Sequence, residues 1–179
     1  KDAAGEPSLA EMTATAIDIL KQRPNGYFLM VEGGRIDHGH HAGNAYRALT
    51  DAIAFAEAVG AADRLTDALD TLIIVTADHS HTLVISGYAA RGNPILDKAR
   101  NADGTLQLDG AGMPYTTLGY INGPGALEKS DAQDAGLKHF PHIAKQFDPA
   151  AVARPDLTNV DTLAPDYLQE AHVPMSAEA

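Results

Sequence analysis

YFLMVEGGRIDHGHHAGN, residues Tyr27 to Asn44, is the stretch that decides how this 179-residue chain is expected to fold. Its start, Tyr27 to Val31, is an unbroken apolar run of strand length, which is typical of a strand buried on both faces in a parallel sheet. Helical spacing of apolar residues follows from about Ala42 to Val59, and TLIIVTA, Thr71 to Ala77, predicts a second buried strand. The order strand, helix, strand is the unit of an α/β fold with a parallel sheet.

The flanking sequence predicts a few further elements. Pro7 to Arg23 has the pattern of an amphipathic helix, and Ser8 with Glu11 forms a capping box at its start. The later chain is less regular, and we expect a loop over Tyr88–Gly112, a strand over Tyr115–Ile121 and a helix over Val160–Ala171.

Composition excludes several classes of function. Lys and Arg number 13 against 24 Asp and Glu, so the net charge of −11 argues against nucleic-acid binding, which needs clustered basic residues. There is no cysteine, so a metal ion could bind only through His, Asp and Glu. The sequence contains no apolar run near the roughly 20 residues that span a bilayer, and we expect no membrane span.

Acids and histidines follow both predicted strands, at the sheet edge where ligands collect in α/β folds. Asp37 and His41 are four residues apart and would share one face of a helix, whereas Asp78 and His79 follow the second strand directly. With Glu32 they offer carboxylate and imidazole ligands, which suit zinc. One such pair alone is more typical of a solvated acid and a hydrogen-bonded histidine than of a metal site, but two pairs at two strand ends favour a metal site.

The neighbouring polar residues have other candidate roles. His81 could orient a ligand carboxylate by a hydrogen bond. His38 and His40 flank the predicted ligands and are expected to lie beside a ligand or face solvent rather than bind the metal. Arg35 could bind an anion or form an ion pair. The remaining histidines fall in irregular polar segments and are expected at the surface: His139, His142 and His172.

Four motifs together resemble the alkaline phosphatases, a family of metal-dependent phosphomonoesterases: FLMVEGGRIDHGHHAGN, TLIIVTADHSHT, GYAARGNPI and YTTLGYINGPG. The resemblance runs in order over most of the chain. It implies a three-layer α/β sandwich with a mostly parallel central sheet. Residues 1–179 would then form a single partial domain, with a βαβ core at about 8–82 and a variable loop region at about 88–160.

The resemblance also implies roles for particular residues. The metal ligands of the family fall on Asp37 and His41 for one zinc, Asp78 and His79 for a second zinc, and Glu32 for a magnesium ion. His38 matches a position that contacts phosphate through water, and His81 matches a position beside the first zinc. His40 has no implied role.

The implied activity is hydrolysis of phosphate monoesters through a phosphoserine intermediate. The family places the nucleophilic serine and the phosphate-binding arginine in an amino-terminal half that would precede Lys1, and a third zinc-binding histidine beyond Ala179. We therefore expect no catalytic nucleophile in this chain and no activity from it without the missing half. The family also implies a homodimer in the periplasm or outside the cell.

Two alternatives stay open at this point. One is a related metalloenzyme, such as a phosphodiesterase, a sulfatase or a mutase, which would differ in its nucleophile. The other is a non-catalytic zinc-binding module. The metal content and the phosphatase activity of the chain would separate them.

Overall fold

The structure, a computed structural model, describes residues 5–110, 112–120 and 155–169. The chain divides into two compact units, Lys1–His81 and Thr82–Ala179. In chain order the elements are helices α1 (Leu9–Leu20), α2 (Arg35–His41) and α3 (Ala45–Leu65), then strands β1 (Leu83–Ile85) and β2 (Leu118–Tyr120). The helices thus belong to the first unit and the strands to the second.

Helix α1 begins at the predicted capping box. The Ser8 hydroxyl accepts a hydrogen bond from the Glu11 amide at 3.2 Å, and the Ser8 amide donates to Glu11 Oε2 at 2.8 Å. The two bonds satisfy amide groups that the helix itself leaves without partners. Helix α1 packs on α3 and buries Thr13 and Ile17.

Helix α3 forms the centre of the first unit, with both α1 and α2 packed against it. Its first turn is capped by Asn44, whose side-chain oxygen accepts a hydrogen bond from the Arg47 amide at 2.9 Å. Its buried residues are all small: Ala45, Ala48, Ala58 and Ala61. Alanine is also a strong helix former, and the helix extends to Leu65, beyond the predicted end at Val59.

Helix α2 approaches α3 most closely at Gly39. A β-carbon added to Gly39 would lie 2.6 Å from the amide nitrogen of Ala48 and 2.9 Å from its α-carbon. The Gly39 carbonyl also accepts a hydrogen bond from the Asn44 amide at 2.9 Å. Only glycine allows this contact, so the contact fixes where α2 presents its side chains.

The two predicted buried strands are not formed in the structure. Tyr27–Val31 and Thr71–Ala77 form no strand among the described residues, and Phe28 is 89% and Leu72 83% exposed. A strand is stabilised by hydrogen bonds to a neighbouring main chain, and no described segment forms a ladder with either run. The apolar pattern therefore marks segments suited to burial, and the described ranges contain no parallel sheet.

The second unit holds a small antiparallel sheet. Strand β1 pairs with β2 in a register that places Leu83 opposite Tyr120 and Ile85 opposite Leu118. Strand β2 lies inside the predicted strand Tyr115–Ile121, which confirms that prediction in part. The predicted loop over 88–112 contains turns and isolated bridges in its described residues, as expected.

Within the second unit, a buried lysine holds the last described segment by hydrogen bonds. Lys98 is 7% exposed, and its ammonium group donates to the carbonyl oxygens of Leu157 at 2.8 Å, Thr158 at 3.2 Å and Val160 at 2.8 Å. Three carbonyls around one ammonium satisfy its three donors. Residues 157–160 are thereby held without forming a regular element.

The predicted helix over Val160–Ala171 is wrong for residues 160–169, which form turns and irregular structure. The Leu163 amide donates to the Asp161 carboxylate at 3.0 Å, a local bond that competes with helix formation, and Pro165 has no amide to donate. Residues 170 and 171 lie outside the described ranges, as do His139, His142 and His172. Among the helices that the structure describes, none is long and apolar enough to cross a membrane.

Candidate metal centre

Helix α2 places the first pair of predicted ligands on one face. Asp37 Oδ1 lies 3.4 Å from His41 Nε2, and both side chains are about one-third exposed, at 35% and 34%. The spacing of four residues, with 3.6 residues per helical turn, brings the two groups together. The helix that the spacing required is therefore present, and it holds a carboxylate and an imidazole side by side.

The segment after Ala77 brings two more imidazoles to Asp37. His81 Nε2 lies 2.7 Å from Asp37 Oδ1, and His79 Nε2 lies 3.6 Å from the same oxygen. One potential ligand atom from each of Asp37, His79 and His81 lies within 4.8 Å of the other two. Three donors at this separation could hold a divalent cation, and nitrogen with oxygen donors suits zinc.

The hydrogen bond to His81 is the main influence on the pKa of Asp37. This bond lowers the pKa of Asp37 below its usual value, burial opposes the effect, and the nearby His41 adds to the lowering. Asp37 is therefore ionised near neutral pH and can only accept, so the proton of the 2.7 Å bond lies on His81 Nε2. The structure thus contains a hydrogen bond from His81 to the Asp37 carboxylate, and the orienting role of His81 stays a prediction.

His40 contacts the same histidine from another side. Its ring stacks on the ring of His81, with centroids 4.7 Å apart and planes inclined by 28°. Burial is the main cause that lowers the pKa of His40, which favours the neutral ring near neutral pH. Sequence reasoning gave His40 no role, because helical spacing alone does not show what a side chain meets from a segment 40 residues away.

Asp78 and Glu32, two other predicted ligands, are both exposed. The Asp78 side chain is 89% exposed, and its Oδ2 lies 3.6 Å from His79 Nε2. Glu32 is exposed, and its Oε1 lies beside Gly34, 3.2 Å from where a β-carbon on that glycine would be. Neither belongs to the group formed by Asp37, His79 and His81.

The side chain of His38 contacts that of Arg35. Arg35 Nη1 lies 3.2 Å from His38 Nδ1, and both residues are exposed. Because a guanidinium can only donate, His38 Nδ1 accepts this bond, and a neutral His38 carries its proton on Nε2. That leaves an N–H donor available to an anion or to water.

The amino-acid sequence of this chain is similar to those of known proteins. Residues 1–177 match the family model of the alkaline phosphatases. The chain is 45% identical over 150 residues to the tissue-nonspecific alkaline phosphatase of Gallus gallus. These residues are 83% of this chain and 28% of that enzyme. It is 39% identical over 173 residues to an alkaline phosphatase of Gadus morhua, covering 97% of this chain and 31% of that enzyme.

The human tissue-nonspecific isozyme is 49% identical over 120 residues, covering 67% of this chain and 22% of that enzyme. The chain therefore belongs to the alkaline phosphatase family, and the resemblance predicted from its motifs is confirmed. The family domain is α/β, as predicted. The chain spans less than a third of the length of these relatives.

Proposed function

We propose that this chain is the carboxy-terminal portion of an enzyme that hydrolyses phosphate monoesters to an alcohol and inorganic phosphate through a phosphoserine intermediate. The observation that carries the proposal is the convergence of His79 and His81 on the Asp37 carboxylate in a chain of the alkaline phosphatase family. The family model spans residues 1–177, which favours this reaction over that of a related phosphodiesterase, sulfatase or mutase.

The proposed metal ligands are Asp37 and His41 for one zinc, Asp78 and His79 for a second zinc, and Glu32 for a magnesium ion. These ligand atoms suit zinc, because the ionised Asp37 carboxylate lies 3.4 Å from His41 Nε2 and 3.6 Å from His79 Nε2. When bound, such ions polarise phosphoryl oxygens and lower the pKa of water. In this chain His81 orients Asp37, and His38 offers its Nε2 proton to phosphate through water.

The nucleophilic serine and the phosphate-binding arginine are proposed to come from an amino-terminal half of the same enzyme. The exposed apolar runs Tyr27–Val31 and Thr71–Ala77 support this, because neighbouring strands from that half would bury them in a mostly parallel sheet. The result would be the three-layer sandwich, with residues 1–179 as a single partial domain and no activity from them alone. A homodimer and a periplasmic or secreted location rest on family membership only.

A chimera tests the proposal. The matched stretch of the Gallus gallus enzyme, which shares 45% identity, is replaced by this chain. We expect the chain alone to bind zinc without hydrolysing p-nitrophenyl phosphate, and the chimera to hydrolyse it. A chimera that folds and binds zinc but shows no turnover would support a non-catalytic zinc-binding module. Turnover by the chain alone would contradict the proposed division of the site.

Asp37→Ala in the chimera tests the assignment of the ligands. Loss of a residue that merely orients a ligand costs about 10–100-fold in metal affinity or activity, so loss of a ligand should cost at least about 100-fold. The matched control is Asp18→Ala, which removes an exposed aspartate whose ion pair is with Lys21. Zinc content and turnover are measured for both variants. Normal zinc content and turnover in Asp37→Ala would refute the assignment.

A further inference from the structure

His81 lies at the centre of the cluster and is its most enclosed side chain. Its side chain is 8% exposed, whereas those of His41 and His79 are 34% and 53% exposed. The rings of His41 and His79 meet it edge-on, with centroids at 5.0 and 5.2 Å. The face of His81 is covered by a different residue, His40, at 4.7 Å.

A single hydrogen bond does not fix the orientation of an imidazole ring. The bond from His81 Nε2 to Asp37 holds one atom of the ring, and the ring could still tilt about that atom. A second ring stacked against its face removes this freedom. Asp37 and His40 are three residues apart on helix α2, so one rigid helix supplies both the carboxylate and the stacking ring.

We propose that His40 is a positioning residue that holds His81 against Asp37 and so sets the orientation of the Asp37 carboxylate toward a metal ion. This inference rests on the proposed function, in which Asp37 binds zinc. His40 acts through its ring face and through His81, and it need not contact the metal or the substrate. The property that matters is then a flat ring at position 40.

The test compares His40→Ala with His40→Phe in the full chain and in the chimera, using zinc alone as the probe. Removal of the ring should raise the dissociation constant for zinc about 10-fold, in the range seen when outer partners of metal ligands are lost. His40→Phe keeps a flat ring and should retain most of the affinity. The visible absorption of bound cobalt(II) should change in His40→Ala and stay close to wild type in His40→Phe.

A double-mutant cycle with His81 shows whether the effect passes through that residue. In a His81→Ala background, the further change His40→Ala should have little effect on zinc affinity, because the residue it positions is gone. Tyr46→Ala, which removes another partly exposed ring from the same unit, is the control and should leave zinc affinity unchanged. Urea unfolding of the metal-free variants reports any general loss of stability separately.

The two proposals fail in different ways. If neither the wild-type chain nor the chimera binds zinc, the proposed metal function of this site is wrong. If the wild-type chain binds zinc and His40→Ala binds it equally well, the positioning role is wrong while the metal site stands. Equal losses in His40→Ala and His40→Phe, or additive effects of the His40 and His81 changes, would also overturn the positioning role.

Discussion

Gly39→Ala tests whether the contact between helices α2 and α3 fixes the candidate metal centre. The added β-carbon would lie 2.6 Å from the Ala48 amide nitrogen, 2.9 Å from its α-carbon and 3.1 Å from its β-carbon. Ordinary contacts between such atoms are about 3.5–4.0 Å, so α2 must move away by roughly 1 Å. Asp37 and His41 lie on α2 and would move with it.

The magnitude follows from two opposing effects. Overpacking a tight contact costs about 1–3 kcal/mol, whereas replacing glycine by alanine inside a helix stabilises by up to about 1 kcal/mol. The matched control is Gly60→Ala in α3, where the new β-carbon meets only the flexible end of Arg64, at 3.2 Å. Gly60→Ala receives the helix benefit without the backbone clash. The free energies of unfolding of the two variants should therefore differ by about 1–3 kcal/mol, Gly39→Ala being the less stable.

Urea unfolding of both variants measures this difference, and zinc titration measures its consequence at the site. We expect Gly39→Ala to bind zinc more weakly than wild type and Gly60→Ala to bind it as wild type does. A Gly39→Ala chain as stable as Gly60→Ala would refute the steric reasoning. A less stable chain with unchanged zinc affinity would show that the α2 contact does not set the ligand geometry.

The second unit yields two further predictions. Lys98→Met keeps the buried stem and removes the donor of three carbonyl oxygens, and since a hydrogen bond to a charged group contributes about 1.5–3 kcal/mol, we expect at least that loss of stability. Amide hydrogen exchange over residues 157–160 should accelerate, and unchanged protection would contradict the role of Lys98. Burial raises the pKa of Tyr120 from 10.0 to about 12. As the pH rises, the unfolded chain therefore loses the Tyr120 hydroxyl proton before the folded chain does. The free energy of unfolding should then fall between about pH 10 and about pH 12. Tyr120→Phe should lessen the fall, measured by urea unfolding at about pH 9 and about pH 11, and an equally steep fall would refute this interpretation.

Local signals in the sequence predicted helices α1 and α3 of the first unit. The capping box of Ser8 and Glu11 and the apolar spacing after it located α1, because both act within a few residues. Asn44 was an available signal for the start of α3, but its cap was recognised only in the structure. The Val160–Ala171 prediction failed over residues 160–169 because apolar spacing does not register a local bond such as that from Leu163 to Asp161.

The predicted strands could not be assigned from the local sequence alone. Tyr27–Val31 and Thr71–Ala77 have the composition of buried strands, yet a strand is defined by its partner, and the described ranges contain none for either run. Apolar composition can indicate that a segment is suited to burial. It cannot name the main chain that would pair with it, because that partner can come from any distance along the sequence.

The sequence by itself determined the chemical types at the site and the pairing of Asp37 with His41, because four residues make about one helical turn. It also determined the family through its motifs. Only the tertiary structure decided that His79 and His81 reach Asp37, that His40 stacks on His81, and that Gly39 must have no side chain. These contacts join segments about 40 residues apart or two packed helices, and no periodicity within one segment encodes such a distance.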